Sequence, residues 1–283
     1  MARIRKAGLA TLSTPARLDK DGVVREFIGS ALPLTSQGFG EEADRIGVKA
    51  AEIWAVLTVE TRGCGFLPDR RPLILFERHV FHRETSGIFD SVAPEVSNRS
   101  AGGYGTGGAH QYARLDQALG LDRRAALRST SWGIGQLMGF NAGLAGYVDV
   151  EAMVAAMTQS EDQQLRGMMG EIVESGLDRP LRVHDWVTFA RGYNGPAFAR
   201  NQYDSRLAAA YQRFAFGPLP DLTVRAAQIY LLFLGFDPGP VDGLLGRKTR
   251  SAVADFQSRE ELTPTGDLDE ATLRRLTDRA VDS

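Results

Sequence analysis

The 283-residue sequence has one cysteine, little net charge and no long hydrophobic run. Cys64 cannot form an intramolecular disulfide, so the fold must depend on its core in any redox compartment. A formal charge of −2 gives no electrostatic attraction for a polyanion, so we expect no nucleic-acid partner. No apolar run approaches the length that spans a bilayer, so we expect no stable membrane insertion.

The N-terminus lacks the apolar core of a signal peptide. Residues 1–6 are basic, but residues 7–17 are too short an apolar stretch and are interrupted by Ser13, Thr14 and Pro15. We therefore expect a product made in the cytoplasm that reaches an external target only after release through another protein's membrane pore. The contents of 43% hydrophobic and 24% charged residues are typical of a globular chain with one ordinary domain and a small one.

A carboxylate occupies a place that a hydrophobic residue would normally fill in one predicted helix. Apolar residues recur there at three- and four-residue steps, and the stripe continues to Glu60. Its apolar members are Ala50, Ile53, Trp54 and Leu57. Gly63 and Gly65 follow, so we expect the helix to end at Glu60 beside a cleft, where burial and the helix dipole raise the pKa of a general acid. The alternative is a glutamate that turns into solvent.

A short apolar run carries a second carboxylate. Residues 72–81 predict a strand with Leu75 and Glu77 on one face, although a buried helix is the alternative for such a run. Glycoside hydrolysis uses two carboxyl groups, one to protonate the leaving oxygen and one to assist water or stabilise an oxocarbenium ion. A buried ion pair of Glu77 with Arg78, Arg83 or another basic group is the structural alternative.

Two clusters of amide, hydroxyl, glycine and aromatic residues lie between the helices predicted from 111 to 211. They occupy residues 131–141 and 189–196. Amides can hydrogen-bond the rim of a sugar and aromatic rings can lie on its apolar faces, but the same residues also suit turns with capping Asn and Gly. The candidates for substrate binding are Trp132, Gln136, Met138, Tyr193 and Asn194.

Two motifs that suggest a cofactor or a metal are weak here. Residues 103–108 satisfy the dinucleotide pattern GxGxxG, but no strand precedes them, so we interpret them as a loop bordering a cleft. His79 and His82 lie three positions apart without a third ligand at regular spacing. We therefore expect no cofactor and no metal.

The sequence resembles the goose-type lysozyme and lytic transglycosylase superfamily in three ordered motifs: Val59-Glu60-Thr61, Gly133-Ile134-Gly135-Gln136-Leu137-Met138 and Gly192-Tyr193-Asn194-Gly195-Pro196. More closely, residues 25–212 resemble the N-acetylmuramidase domain of many phage endolysins, through segments 59–66, 75–81, 131–141 and 193–196. The resemblance implies a mainly α (α+β) protein: a lysozyme-like helical catalytic domain with a small β-sheet. It also implies Glu60 as the catalytic acid and Glu77 as the second carboxylate. Thr61 replaces the usual Ser and keeps the hydroxyl.

Residues before this domain are weakly patterned up to about position 40, and we read 1–24 as an N-terminal arm. After a Pro- and Gly-containing linker at 213–221, residues 222–280 predict three helices, the last capped by Asp269. Two helix entries, each with Asp, Gly and then Thr, suggest an internal pseudo-repeat. The segment is similar to the three-helix peptidoglycan-binding domain of wall hydrolases in motifs that include Asp242, Gly243, Phe256 and Gln257.

These expectations combine into a monomeric endolysin. It would hydrolyse the glycosidic bond between N-acetylmuramic acid and N-acetylglucosamine in peptidoglycan strands, with Gln136, Tyr193 and Asn194 holding the sugar and the C-terminal domain anchoring the enzyme to the wall. The first alternative is a lytic transglycosylase, which forms anhydro products without water. The second is a wall-binding protein without catalytic activity.

Overall fold

The computed structural model describes residues 26–60 and 63–282. The predicted N-terminal arm (1–24) lies outside the described residues. The helices of the described residues are α1 (Ser36–Ile46), α2 (Ala50–Glu60), α3 (Arg78–Glu84), α4 (His110–Leu119), α5 (Arg123–Arg128), α6 (Val150–Met157), α7 (Glu161–Glu174), α8 (Asp178–Arg182), α9 (Trp186–Asn194), α10 (Tyr203–Phe216), α11 (Leu222–Phe233), α12 (Arg247–Arg259) and α13 (Glu270–Asp282). The strands are β1 (Ile74–Phe76), β2 (Thr130–Trp132) and β3 (Leu137–Met138). The predicted mainly helical fold with a small sheet is confirmed.

Helix α2 is buried on nearly every side rather than along one stripe. Helices α1 and α10 both pack against it, and Ile53, Val56 and Leu57 are at most 2% exposed. Thr58 is the exposed residue within 51–59. Glu60 is the last residue of this helix, as the sequence predicts. Among the helices of the described residues, none is both long and apolar enough to cross a membrane.

The three strands form an antiparallel sheet in the order β1-β2-β3. Ile74 lies opposite Trp132, and Trp132 lies opposite Leu137. All three side chains and that of Phe76 are at most 2% exposed, because α4, α5 and α6 supply the core that covers this face. The other face of the sheet is only partly covered.

The predicted strand over 72–81 is wrong in its length. The strand ends at Phe76, and Glu77 occupies the N-cap position of α3, with φ −107° and ψ 95°, without a capping hydrogen bond from its side chain. Val80 and Phe81 then turn into the core from a helix. A run of apolar residues this short does not separate a strand from a helix, because both can bury it.

The C-terminal helices α11, α12 and α13 surround a small core of their own. Two buried glutamines hold the loops between them in equivalent ways. The Oε1 of Gln228 accepts the Gly243 N–H at 2.9 Å and its Nε2 donates to Thr249 at 3.1 Å. The Oε1 of Gln257 accepts the Gly266 N–H at 2.8 Å, and its Nε2 donates to the Thr272 hydroxyl at 2.9 Å. The predicted pseudo-repeat is confirmed, and Asp269 caps α13 as expected, by accepting the Thr272 N–H at 2.8 Å.

Gln257→Leu is expected to destabilise the C-terminal bundle by about 1–3 kcal/mol, because it leaves the buried Gly266 N–H and the buried Thr272 hydroxyl without their partner. Chemical denaturation followed by circular dichroism measures the change. Arg274→Ala, at an exposed position of α13, is the control and should shift the free energy of unfolding by no more than about 0.5 kcal/mol. Equal midpoints for the two variants would contradict this role of Gln257.

The two parts of the chain are packed against each other. Helix α10 continues to Phe216, so residues 213–216 of the predicted linker are helical and 217–221 make the connection. The Arg70 guanidinium lies over the Phe233 ring at 4.7 Å and donates to the Ala280 carbonyl. Asp221 caps α11 with its side chain and donates its own N–H to the Gly243 carbonyl at 3.1 Å.

Candidate active site

Backbone hydrogen bonds connect the loop after Glu60 to the sheet. The Gly65 carbonyl accepts the Leu73 N–H, and the Leu73 carbonyl accepts the Gly133 N–H, both at 2.8 Å. The end of α2, the start of β1 and the turn between β2 and β3 are therefore neighbours. The predicted rise in the pKa of Glu60 stays a prediction.

The turn between β2 and β3, residues 133–136, places Gln136 in a left-handed conformation with φ 49°. Its Nε2 donates to the carbonyls of Gly133 at 2.9 Å and Leu73 at 3.3 Å, and its Oε1 accepts the Ser131 hydroxyl at 3.0 Å. Both hydrogens of the Gln136 amide are therefore used within the protein, where they stabilise the turn. A role in a turn is the alternative that the sequence left open for this cluster. A lone pair of Oε1 remains for a sugar hydroxyl, because an amide oxygen accepts two hydrogen bonds.

The last residues of α9 join the same turn. The Tyr193 hydroxyl donates to the Gly135 carbonyl at 3.0 Å, and its ring stacks on Phe189 at 5.6 Å. Asn194 is the last residue of α9 and is half-buried. The structure therefore brings the predicted residues Gln136, Tyr193 and Asn194 to one place, beside the loop that follows α2.

The partly covered face of the sheet carries Leu75, Ser131 and Met138. Ser131 lies opposite both of the others in the register of the strands, so the three side chains point to the same face. Leu75 and Met138 are half-buried. This face is a candidate floor for a sugar-binding groove, and Met138 lies on it; the contact of Met138 with a sugar stays a prediction.

Trp132 does not belong to the groove. Its side chain is 0% exposed, it packs on Phe27 at 5.3 Å, and its Nε1 donates to the Leu127 carbonyl at 3.3 Å. The predicted stacking of Trp132 on a sugar is therefore wrong. Adjacent strand residues point to opposite faces, so placing Ser131 on the groove side already requires Trp132 to face the core.

Glu77 lies just beyond the end of β1 and is half-buried. Its Oε1 accepts the Tyr104 hydroxyl at 3.3 Å, and its Oε2 is 3.1 Å from Nδ1 of His79. The two arginines weighed as ion-pair partners point elsewhere: Arg78 donates to the Ser100 carbonyl, and Arg83 lies over the Phe140 ring. The imidazole of His79 is a basic neighbour of Glu77, and the charge of Glu77 also acts on Arg114.

Tyr104 is a candidate residue that the sequence did not indicate. It lies in the Gly-rich loop 100–108, whose backbone carbonyls accept from Gln111 at 2.7 Å and from Arg114 at 3.3 Å. Burial and the charge of Glu77 raise the pKa of Tyr104, so its hydroxyl remains a donor at neutral pH. The loop therefore lies beside Glu77, and its position at a cleft stays a prediction.

The two histidines of α3 contact different carboxylates. His79 is next to Glu77, whereas Nδ1 of His82 is 2.8 Å from Asp90. Within 26–60 and 63–282, no three His, Cys, Asp or Glu side chains are grouped closely enough to hold a metal ion.

Three of the four candidate wall-binding residues build the C-terminal domain instead of lining its surface. Phe256 and Gln257 are 0% and 1% exposed, and Gly243 is buried with φ 71°. Gly243, Phe256 and Gln257 are therefore motif residues that hold the fold of the domain, and the wall-binding surface of the domain stays a prediction. Asp242 is exposed, and its carboxylate accepts the Leu244 N–H at 3.0 Å.

The chain matches two known families. The family described as N-acetylmuramidase matches residues 49–215, and the family described as putative peptidoglycan binding domain matches residues 221–276. No protein with a curated description matches the chain. The crystal structure of the Burkholderia AP3 phage endolysin is 39% identical, covers 69% of this chain and 73% of that chain, and gives a TM-score of 0.60. The resemblance predicted from the motifs is confirmed: residues 49–215 are more than half of the sequence, and this chain belongs to the N-acetylmuramidase family.

Proposed function

We propose that this chain is a peptidoglycan hydrolase of the endolysin type, which cuts the glycosidic bond between N-acetylmuramic acid and N-acetylglucosamine. The observation that carries the proposal is the meeting of three elements at the turn between β2 and β3. The loop 63–65 that follows α2 is linked to this turn by hydrogen bonds through Leu73, and the end of α9 is linked to it by the hydrogen bond of Tyr193 to Gly135. Family membership supports the same chemistry.

In this proposal Glu60 is the general acid that protonates the leaving oxygen. Glu77 is the second carboxylate, which activates water or stabilises the positive charge that develops on the sugar ring. Gln136 and Asn194 hold the sugar through their amides, and the Tyr193 hydroxyl fixes the turn. Met138 lies under the sugar as part of the floor.

The C-terminal domain holds the enzyme on the wall. Attachment raises the effective concentration of glycan strands at the active site, although the C-terminal domain makes no contact with the glycosidic bond that is cut. The match of residues 221–276 to a peptidoglycan-binding family supports this role. We also propose that the chain reaches the wall through a pore made by another protein.

Mass spectrometry of fragments released from purified peptidoglycan tests the proposal. Hydrolysis adds water, so the wild-type protein is expected to release fragments with a reducing-end muramic acid. Anhydro-muramic ends would instead indicate a lytic transglycosylase. Binding to the wall without release of fragments would indicate a wall-binding protein, and the Glu60→Gln protein gives the background in each case.

A further inference from the structure

A buried charge pair joins the C-terminal domain to the catalytic domain. Arg225 of α11 and Glu161, the first residue of α7, have side chains that are 2% and 0% exposed. Arg225 donates to both carboxylate oxygens of Glu161, at 2.8 Å for Oε1, in a fork-shaped arrangement. Removing two charges from water is costly unless their remaining hydrogen-bonding groups are also satisfied.

The remaining hydrogen bonds of the pair go to the loop that follows Glu60. Arg225 also donates to the Gly63 carbonyl at 2.6 Å. Glu161 accepts the Gly65 N–H at 2.8 Å through Oε1 and the Leu34 N–H at 2.9 Å through Oε2. Arg225 of the C-terminal domain therefore holds the loop at the Gly63 carbonyl, and Glu161 of the catalytic domain holds it at the Gly65 N–H.

The C-terminal domain also limits the space around this loop. Gly63 has φ 98°, and a Cβ there would lie 2.8 Å from the Val241 carbonyl oxygen. Cys64 is half-buried at the same place, where burial and the Glu161 charge raise the pKa of its thiol to about 12. Beside the pair is a cavity of about 230 Å³, lined in part by Thr58, Gly63 and Val241.

We propose that Arg225 is a positioning residue for the catalytic step. It fixes the loop 63–65 through Gly63 and Glu161, and this loop begins three residues after Glu60. The C-terminal domain then contributes to turnover as well as to wall attachment. The inference rests on the proposed role of Glu60 as the acid.

A purely stabilising pair and a positioning pair predict different results on a substrate that needs no wall attachment. Soluble, uncross-linked glycan strands prepared from peptidoglycan are such a substrate. Loss of wall attachment alone leaves kcat on these strands unchanged. Displacement of the loop lowers kcat, since an error of about 1 Å in a catalytic arrangement costs on the order of 100-fold.

The experiment compares full-length Arg225→Met, Arg225→Lys and the double variant Glu161→Gln/Arg225→Met with the wild type. We expect Arg225→Met to lower kcat on soluble strands about 10- to 100-fold with little change in KM. The kcat of Arg225→Lys should lie between those of Arg225→Met and the wild type. Lysine keeps the positive charge but lacks the planar guanidinium that donates to both Glu161 oxygens and to the Gly63 carbonyl. Arg70→Met, which alters another contact between the domains, is the matched control and should keep kcat.

The double variant separates stability from positioning. It removes both charges, so no unpaired charge remains buried, and its melting temperature should return toward that of the wild type. Its kcat should stay as low as that of Arg225→Met, because the Gly63 carbonyl still lacks its donor. Wild-type kcat in Arg225→Met, or recovery of both quantities in the double variant, would overturn the proposal.

A wild-type protein that cuts no glycan would reject the proposed function separately. Hydrogen–deuterium exchange of the segment 60–67 in the double variant then still tests whether Arg225 and Glu161 hold the loop 63–65 in place. Faster exchange than in the wild type supports it, and unchanged exchange overturns it.

Discussion

Glu60→Gln is expected to lower the release of reducing glycan fragments by about 10²- to 10⁴-fold, the usual contribution of a general acid. Glutamine has nearly the same shape as glutamate but cannot give up a proton to the leaving oxygen. Because the core encloses α2 on nearly every side, the exchange at its last residue should leave the fold intact. Fragment release is measured by mass spectrometry, and the melting temperature is measured on the same samples.

Glu174→Gln is the matched control for Glu60→Gln. Glu174 is also the last residue of a helix, α7, and it is exposed to solvent. This variant should keep wild-type activity. Equal activity of both variants would mean that Glu60 is a carboxylate that merely ends a helix, the alternative that its sequence pattern left open.

Local patterns predicted the parts of the fold that local interactions determine. The end of α2 at Glu60 follows from an apolar stripe and nearby glycines, and the C-terminal bundle follows from three amphipathic segments with capping residues such as Asp269. Strands of two or three residues carry too few positions for a period to appear. This is why the strand over 72–81 was predicted too long and why no strand was predicted at Trp132, which was therefore counted among the residues that contact the sugar.

Contacts between distant segments had no signal in the sequence. Arg225 and Glu161 are 64 positions apart, and each reads as an ordinary charge near a helix end or on a helix surface. The contact of Tyr104 with Glu77 spans 27 positions and depends on the path of a glycine-rich loop. Such pairs form only after the elements pack, so the position of a charge along the chain does not reveal its partner.

Glu77→Gln is expected to lower hydrolysis about 100-fold or more, because the amide can neither take a proton from water nor offset the positive charge on the sugar. The amide oxygen can still accept the Tyr104 hydroxyl, so the neighbouring loop should keep its place. The loss therefore reports on the charge of Glu77 rather than on the packing around it. Initial rates on soluble glycan strands and product masses are measured together.

Tyr104→Phe is the companion variant, since it removes the hydrogen bond to Glu77 and leaves the carboxylate. Its activity should fall much less than that of Glu77→Gln, because the contact is 3.3 Å long and the residue is 37% exposed. Undiminished hydrolysis by Glu77→Gln would make Glu77 a structural partner of His79. A switch from reducing to anhydro products in that variant would show that Glu77 directs water to the sugar. The same acid at Glu60 would then serve either reaction, and the second carboxylate would decide between them.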